Sequence, residues 1–248
     1  MPCILTVNRQ QFVKECLEPL SDLVGQSVVL FEHDPQTKKI WSIVQHSNQM
    51  LALYVNFAYE NFEQPQSFAV RDVGRLMKAL DFVSEEFVTL NIEANKITYE
   101  NQQIRFESPI VDLTTARNIQ IGLKPQQFDN FEFISAFQLT KGNLRDIIKG
   151  RQFASSADIA EICSNTSGQI TITLDKREMA NTDRIKLTFE QVDGQPITSR
   201  KIPLEIFSML SSIDSTVTVL TNARCNFIFS VQLNNSSLKY GQTSISER

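Results

Sequence analysis

Four helix-like stretches at regular intervals constrain the fold of this chain more than any other feature. Each follows a short extended lead-in and precedes several stretches of alternating apolar residues. They begin near residues 10, 72, 141 and 203, so the starts within each half lie about 62 residues apart and equivalent starts in the two halves about 131 apart. This nested spacing predicts an α+β fold with duplicated βαβββ units in two similar domains. The alternative is coincidence, since amphipathic helices are common.

The helices are predicted from apolar residues that recur with the helical period. In the second stretch, Val73, Leu76 and Leu80 lie on one side and the basic residues on the other. Pro19 predicts a ragged end for the first helix, and Pro203 suits the first position of the fourth. The predicted helices cover residues 9–20, 72–82, 141–153 and 203–213.

Alternating apolar residues between the helices predict the strands and, with them, the domain limits. Residues 112–136 lack helical periodicity and contain a run of phenylalanines, which is typical of a connector. We expect two similar domains over 1–112 and 137–248, joined by 113–136, and a polar, partly mobile tail over 236–248. The strand candidates are 27–32, 39–46, 49–57, 87–92, 96–100, 104–107, 161–164, 169–174, 184–190, 216–221 and 226–233.

The composition argues against most enzymes and against a membrane protein. The chain has 248 residues, 42% of them hydrophobic, yet no apolar run long enough to span a bilayer and no signal-peptide pattern at its start. We therefore expect a cytoplasmic protein. Phosphate-binding, zinc-protease and nucleophile-elbow motifs are missing from the sequence.

Neither the cysteines nor the histidines suggest a metal site, a disulfide framework or a cofactor. The four cysteines lie far apart, and no histidine lies near them. We expect no cofactor, no metal and no enzymatic activity. The enzymatic alternative is carboxylate catalysis by acids such as Asp81, Glu85, Glu86 or Asp183, which fall at helix ends and turns where solvated acids are common.

Positive charge is concentrated in the helical stretches. Together with their short lead-ins they carry eleven Lys and Arg against six Asp and Glu, although the whole chain has 24 against 28. Such segregation favours a cationic surface for phosphates that is independent of base sequence and weakened by salt. The alternative is that these are ordinary solvated helix faces. The candidate DNA-binding residues are Lys14, Arg71, Arg75, Lys78, Lys141, Arg145, Lys149, Arg151 and Lys201.

Two pairs of segments resemble the DNA sliding clamps. Residues 68–80 with 87–107, and 137–148 with 169–174, are similar in order and spacing to the strand, helix and hairpin units of that family. The resemblance is greatest to the DNA polymerase processivity factors of T-even-like bacteriophages. It implies that helices line the inside of a ring and sheets form the outside.

The resemblance also implies an assembly and its partners. With six domains per ring, a two-domain chain implies a homotrimer that encircles double-stranded DNA, tethers the replicative DNA polymerase and is opened by a clamp-loader ATPase. Strand edges near 104–110 and 184–190 are expected to pair between subunits. Partner peptides would bind at a pocket walled by Ile119, Ile121, Leu123 and Phe128.

Other interpretations remain open from the sequence. The connector residues named above are equally compatible with simple packing onto the sheets. The chain is also compatible with a monomeric clamp-like processivity factor that holds DNA on an open basic face, or with another non-enzymatic viral structural protein.

Overall fold

The computed structural model describes residues 3–25, 27–34, 36–119, 122–176, 183–189, 193–224 and 226–245. The chain divides into two compact units. Unit 1 is Met1–Gln127 with Leu233–Leu238, and unit 2 is Phe128–Gln232 with Lys239–Arg248. The domain limits at 112 and 137 stay a prediction.

The first half of the chain alternates single helices with groups of strands. Its elements are β1 (Cys3–Asn8), α1 (Arg9–Phe12), a π-helical turn (Val13–Leu17), α2 (Glu18–Val24), β2 (Val29–Asp34), β3 (Lys39–Gln45), β4 (Leu51–Ala58), β5 (Asn61–Glu63), β6 (Phe68–Val70), α3 (Val73–Asp81), β7 (Phe87–Ile92), β8 (Lys96–Glu100), β9 (Arg105–Val111), α4 (Leu113–Ile119) and α5 (Pro125–Asp129).

The second half repeats the same order of elements. They are β10 (Ser135–Leu139), α6 (Lys141–Phe153), β11 (Ile159–Ser164), β12 (Ile170–Asp175), β13 (Ile185–Phe189), β14 (Asp193–Gly194), β15 (Arg200–Pro203), α7 (Glu205–Ser211), β16 (Val217–Thr221), β17 (Phe227–Gln232) and β18 (Ser236–Gln242). This order confirms the predicted α+β class and the repeated βαβββ units.

Strand pairing interlocks the two repeats of each unit. In unit 1 the order is β4-β3-β2-β6-β9-β8-β7-β1-β5, and in unit 2 it is β14-β10-β16-β17 with a separate sheet β13-β12-β11-β15. The strand that opens one repeat pairs antiparallel with the sister repeat: β1 with β7 and β6 with β2, then β10 with β16 and β15 with β11. The two repeats of a unit therefore share their sheets.

The cores lie between the helices and the sheets. In unit 1, α3 packs against α2 and the π-helical turn, and the ring of Phe12 lies 5.3 Å from that of Phe57. In unit 2, α6 packs against α7, and the rings of Phe207 and Phe229 meet edge to face at 5.9 Å. Aromatic pairs in this geometry add a little to the stability that burial provides.

The first helix is longer than predicted because a π-helical turn carries it past Pro19. The amide of Glu18 bonds to the carbonyl of Val13, five residues back. Pro19 has no amide hydrogen and falls in the first turn of α2, where none is needed. The helix therefore continues to Val24, and the predicted end near residue 20 was wrong.

The connector contains two short helices, contrary to the absence of helical structure predicted there. Asp112 caps α4: its carboxylate accepts hydrogen bonds from the Thr115 amide at 2.9 Å and hydroxyl at 2.5 Å. The hydrogen bond from the Thr115 side chain is the main reason why the pKa of Asp112 is lowered. Ala116 of α4 packs into a small cluster with Leu30 and Ala69. Helices of one to two turns are too short to display a period.

The C-terminal segment is a packed strand rather than a mobile tail. In β18 the side chains of Ser236, Leu238, Tyr240 and Gln242 alternate inward, and each is at most 2% exposed. Two of these four inward side chains are polar, which hides the alternation that marks a strand. The predicted mobility of this segment is therefore wrong as far as residue 245.

Replacing Leu238 by Ala tests the packed strand. We expect a loss of about 2–5 kcal/mol in the free energy of unfolding, because the side chain is fully buried. Asn234→Ala, at an exposed position in the preceding turn, should change it by less than about 0.5 kcal/mol. Denaturant unfolding of both variants measures the difference. Equal effects would contradict the packing of β18.

Candidate nucleic-acid interface

Helix α3 presents a basic face because its opposite face is buried. Asp72 caps the helix by accepting a hydrogen bond from the Arg75 amide at 3.0 Å. Leu76 and Leu80 are fully buried, as is Val73. The helical period then places Arg75 and Lys78 on the exposed side, with exposed Arg71 immediately before the cap.

The cations of α3 differ in their partners. The Nε of Arg75 lies 3.3 Å from an oxygen of Asp72, although the Arg75 side chain remains 80% exposed. Within the described residues, no carboxylate lies within 4 Å of Lys78 or Arg71. An exposed pair of this kind contributes little to stability, so Arg75 remains available to an external anion.

Helix α6 has the same two-sided character. A reciprocal capping box between Thr140 and Asn143 fixes its start. Leu144 and Ile147 are buried, and Gly150 allows close packing on β13, since an added Cβ would lie 3.0 Å from Ile185. The exposed stripe of α6 consists of residues four apart, Lys141, Arg145 and Lys149, with Arg151 exposed beside them.

Two of the four cations of α6 already have partners. The Nζ of Lys141 lies 2.5 Å from Asp214, and Arg151 donates a hydrogen bond of 2.7 Å to the Ser208 hydroxyl on α7. Among the described residues, Arg145 and Lys149 have no such partner. Arg145 and Lys149 are therefore the cations of α6 that are most available to phosphates.

The remaining two helices contribute less positive charge than predicted. Lys14 is exposed in the π-helical turn, but Glu18 follows it on the same face. Lys201 lies in β15, opposite Glu161 of β11, so its predicted place on a helix face was wrong. Pro203 ends that strand instead of starting α7. The basic faces therefore belong to α3 and α6.

The predicted peptide-pocket residues are only partly described. Phe128 is 7% exposed, and its ring packs so closely on β18 that a Cβ on Gly241 would approach it to 3.1 Å. Leu123 is half-buried. Ile121 and the side chain of Ile119 lie outside the described residues. The pocket stays a prediction.

No metal or membrane site emerges from the described part of the chain. It contains no group of three or more His, Cys, Asp or Glu side chains that could hold a metal ion. Cys3, Cys16 and Cys163 have free thiols, and burial raises the pKa of the Cys16 thiol; Cys225 lies outside the described residues. Of the described helices, none is long and apolar enough to cross a membrane.

Comparison with known proteins identifies the fold. Neither a family model nor a curated protein matches the sequence. A chain from the structure of the C-terminal region of FEN-1 bound to A. fulgidus PCNA, a sliding clamp, superposes with a TM-score of 0.76. The match covers 100% of both chains at 11% sequence identity. This chain has the DNA-clamp fold.

The DNA-clamp fold agrees with the part of the resemblance that concerns architecture. At 11% identity this likeness shows the fold alone. Sequence reasoning located the exposed cations but missed the residues that modify them. Asp214 lies 73 positions from Lys141, and nothing in the local pattern links the two.

Loss of the capping box of α6 should weaken the helix that carries most of the exposed cations. We expect Thr140→Ala to lower the free energy of unfolding by about 1 kcal/mol, because the Asn143 amide loses its acceptor. Thr140→Ser retains the hydroxyl and should stay close to the unchanged chain. Thermal and denaturant unfolding provide the measurement; a loss as large for serine as for alanine would argue against the cap.

Proposed function

We propose that this protein is a sliding clamp that encircles duplex DNA as a homotrimeric ring and tethers a replicative DNA polymerase. The observation that carries the proposal is the DNA-clamp fold over the whole chain, combined with exposed cations on α3 and α6. Its role is non-enzymatic: the ring supplies processivity and the polymerase supplies the chemistry. A ring keeps DNA by closure, so its contacts with phosphates can remain weak enough to slide.

The charge distribution supports contact with DNA through the helices. The chain as a whole has a net charge of −4, so most of its surface repels a polyanion. Lys78, Arg145 and Lys149 are exposed cations with no ion pair among the described residues. Arginine and lysine contacts to phosphates position a protein on DNA without reading its sequence. Such contacts suit a protein that moves along any sequence.

Two strand edges support head-to-tail assembly. On one side β9 pairs with β8 from Arg105 to Pro109, but on the other side β6 pairs only with Ile110 and Val111. At the end of the second sheet of unit 2, β13 pairs only with β12 in the described chain. Pairing of β9 in one subunit with β13 in the next would satisfy both edges, and a closed ring would leave neither exposed.

An apolar groove beside β9 adds to this support. It has a volume of about 600 Å³ and lies between the end of α3 and the start of β9. Phe82 in its wall is 77% exposed, an unusual position for a large aromatic side chain. On β13, the side chains of Ile185 and Leu187 are only half-buried. Apolar contacts of this kind fit the proposed subunit interface.

The proposed partners follow from the fold and its charge. A closed ring needs a clamp-loader ATPase, because the chain carries no nucleotide-binding motif of its own. Since the related PCNA structure contains the C-terminal region of FEN-1, a peptide segment of the polymerase is the proposed tether. We place the protein in the cytoplasm, that of a host cell if its source is a bacteriophage.

Solution mass tests the ring. Light-scattering chromatography over a concentration series should show a species near three times 28.2 kDa that dissociates on dilution. Phe82→Asp should dissociate at higher concentration than the unchanged chain, because it places a charge in the groove. Phe133→Asp, at a phenylalanine that is 57% exposed elsewhere, is the matched control. A monomer at every concentration would exclude encirclement and leave the open-faced processivity factor.

Paired substitution of Arg145 and Lys149 by Gln tests the DNA contacts. We expect weaker binding of duplex DNA and a salt dependence whose log–log slope falls by about 2, since each lost phosphate contact removes about 0.9. Polymerase processivity on a primed template should fall together with duplex binding. Arg224→Gln removes an exposed charge from the β16–β17 turn and should leave both unchanged. An equal loss in that variant would contradict a specific role for α6.

A further inference from the structure

The apolar groove beside β9 has two walls that come from different parts of unit 1. Ala79 and Phe82 lie at the end of α3 and form one wall. Gln103, Ile104 and Phe106, from the turn after β8 and the start of β9, form the other. A groove between two separate segments keeps its shape only if something joins them. In this protein, side-chain hydrogen bonds make that connection.

Asn101 connects the turn after β8 to the segment that follows α3. Its side-chain nitrogen donates a hydrogen bond to the Glu85 carboxylate and another, of 3.0 Å, to the Tyr99 hydroxyl. Its side-chain oxygen accepts hydrogen bonds from the amides of Gln103 at 2.9 Å and Ile104 at 2.6 Å. Asn101 therefore fixes one wall of the groove with its oxygen and reaches the other with its nitrogen.

Both walls are also attached to the rest of unit 1. The Nε of Arg9 donates a hydrogen bond of 3.1 Å to the Glu85 carbonyl, and the Arg9 amide donates one of 2.8 Å to the Glu86 carbonyl. In the other wall, the ring of Tyr99 stacks on that of Phe106 at 5.4 Å. The hydrogen bond that joins the two walls therefore lies between two anchored segments.

The acceptor of this hydrogen bond is an ionised carboxylate. The hydrogen bond from the Asn101 side chain is the main reason why the pKa of Glu85 is lowered. Burial is the main reason why the pKa of Tyr99 is raised. At neutral pH an ionised carboxylate therefore accepts from a neutral amide group beside a neutral hydroxyl. Hydrogen bonds to a charged acceptor are about twice as strong as those between neutral groups.

We propose that the Glu85–Asn101 hydrogen bond is a lock that holds the groove in the shape that receives the next subunit. The lock rests on the proposed function, because the occupant of the groove is a second copy of the chain. A groove that is already formed binds more tightly than one that must first be ordered. Neither Glu85 nor Asn101 belongs to the described residues that line the groove, so both are positioning residues.

Asn101→Asp breaks the lock with the smallest change of shape. The new carboxylate keeps an oxygen for the amides of Gln103 and Ile104, but it replaces the donor to Glu85 by a second negative charge. We expect self-association, measured by light-scattering chromatography, to weaken by about tenfold or more. Asn234→Asp adds the same charge at an exposed position in the β17–β18 turn and should leave self-association unchanged.

A double variant, Asn101→Asp with Glu85→Gln, separates the lock from general damage to the fold. Its new glutamine donates to its new aspartate, so the hydrogen bond returns in the reverse direction and self-association should recover to within about threefold of the unchanged chain. Hydrogen exchange in segments 82–86 and 101–106, measured below the dissociation concentration, should rise in the single variant and recover in the double variant.

The same measurements separate failure of the lock from failure of the proposed function. If Asn101→Asp associates as tightly as the unchanged chain, or if the double variant stays as weak as the single one, the lock is overturned while the proposed function stands. If the unchanged chain is a monomer at every concentration, the proposed function fails and the lock fails with it.

Discussion

Burial of one apolar face of each long helix against the sheets determines where the positive charge of this protein lies. Each fully buried leucine of α3 contributes about 1.5–3 kcal/mol relative to an exposed one. Turning α3 to expose Leu76 and Leu80 would also bury Arg75 or Lys78, and an unpaired buried charge is still more unfavourable. Burial of the apolar face therefore determines both the orientation of the helix and the exposure of its cations.

Elements long enough to show a repeating apolar pattern could be predicted from the sequence. Short helices, and strands with polar residues facing inward, could not. Helices α3 and α6 each span more than two turns, enough for their apolar residues to define a face. In contrast, α5 has five residues, and β18 places Ser236 and Gln242 inward. The continuation of the first helix past Pro19 depended on a π-helical turn, which composition does not indicate.

The sequence predicted which cations are exposed, but not which of them already have an ion-pair partner. Lys141 forms an ion pair with Asp214 from the loop before β16, whereas Arg145 and Lys149 form none among the described residues. Ser108 lies beside the start of α3 because β9 pairs with β6, the strand that leads into that helix. Both relations are between residues distant in the chain, and they follow from strand order and register, which single-sequence patterns do not determine.

Weak binding at each phosphate is a physical requirement of the proposed sliding along DNA, and the charge at the start of α3 fits that requirement. A clamp that moves must break every phosphate contact at each step, so a strongly cationic surface would hold the duplex in place. Asp72 pairs with Arg75 and offsets one positive charge at the start of α3. The same carboxylate caps α3 and so positions Arg75. One side chain thereby stabilises the start of the helix and lowers the net positive charge beside it.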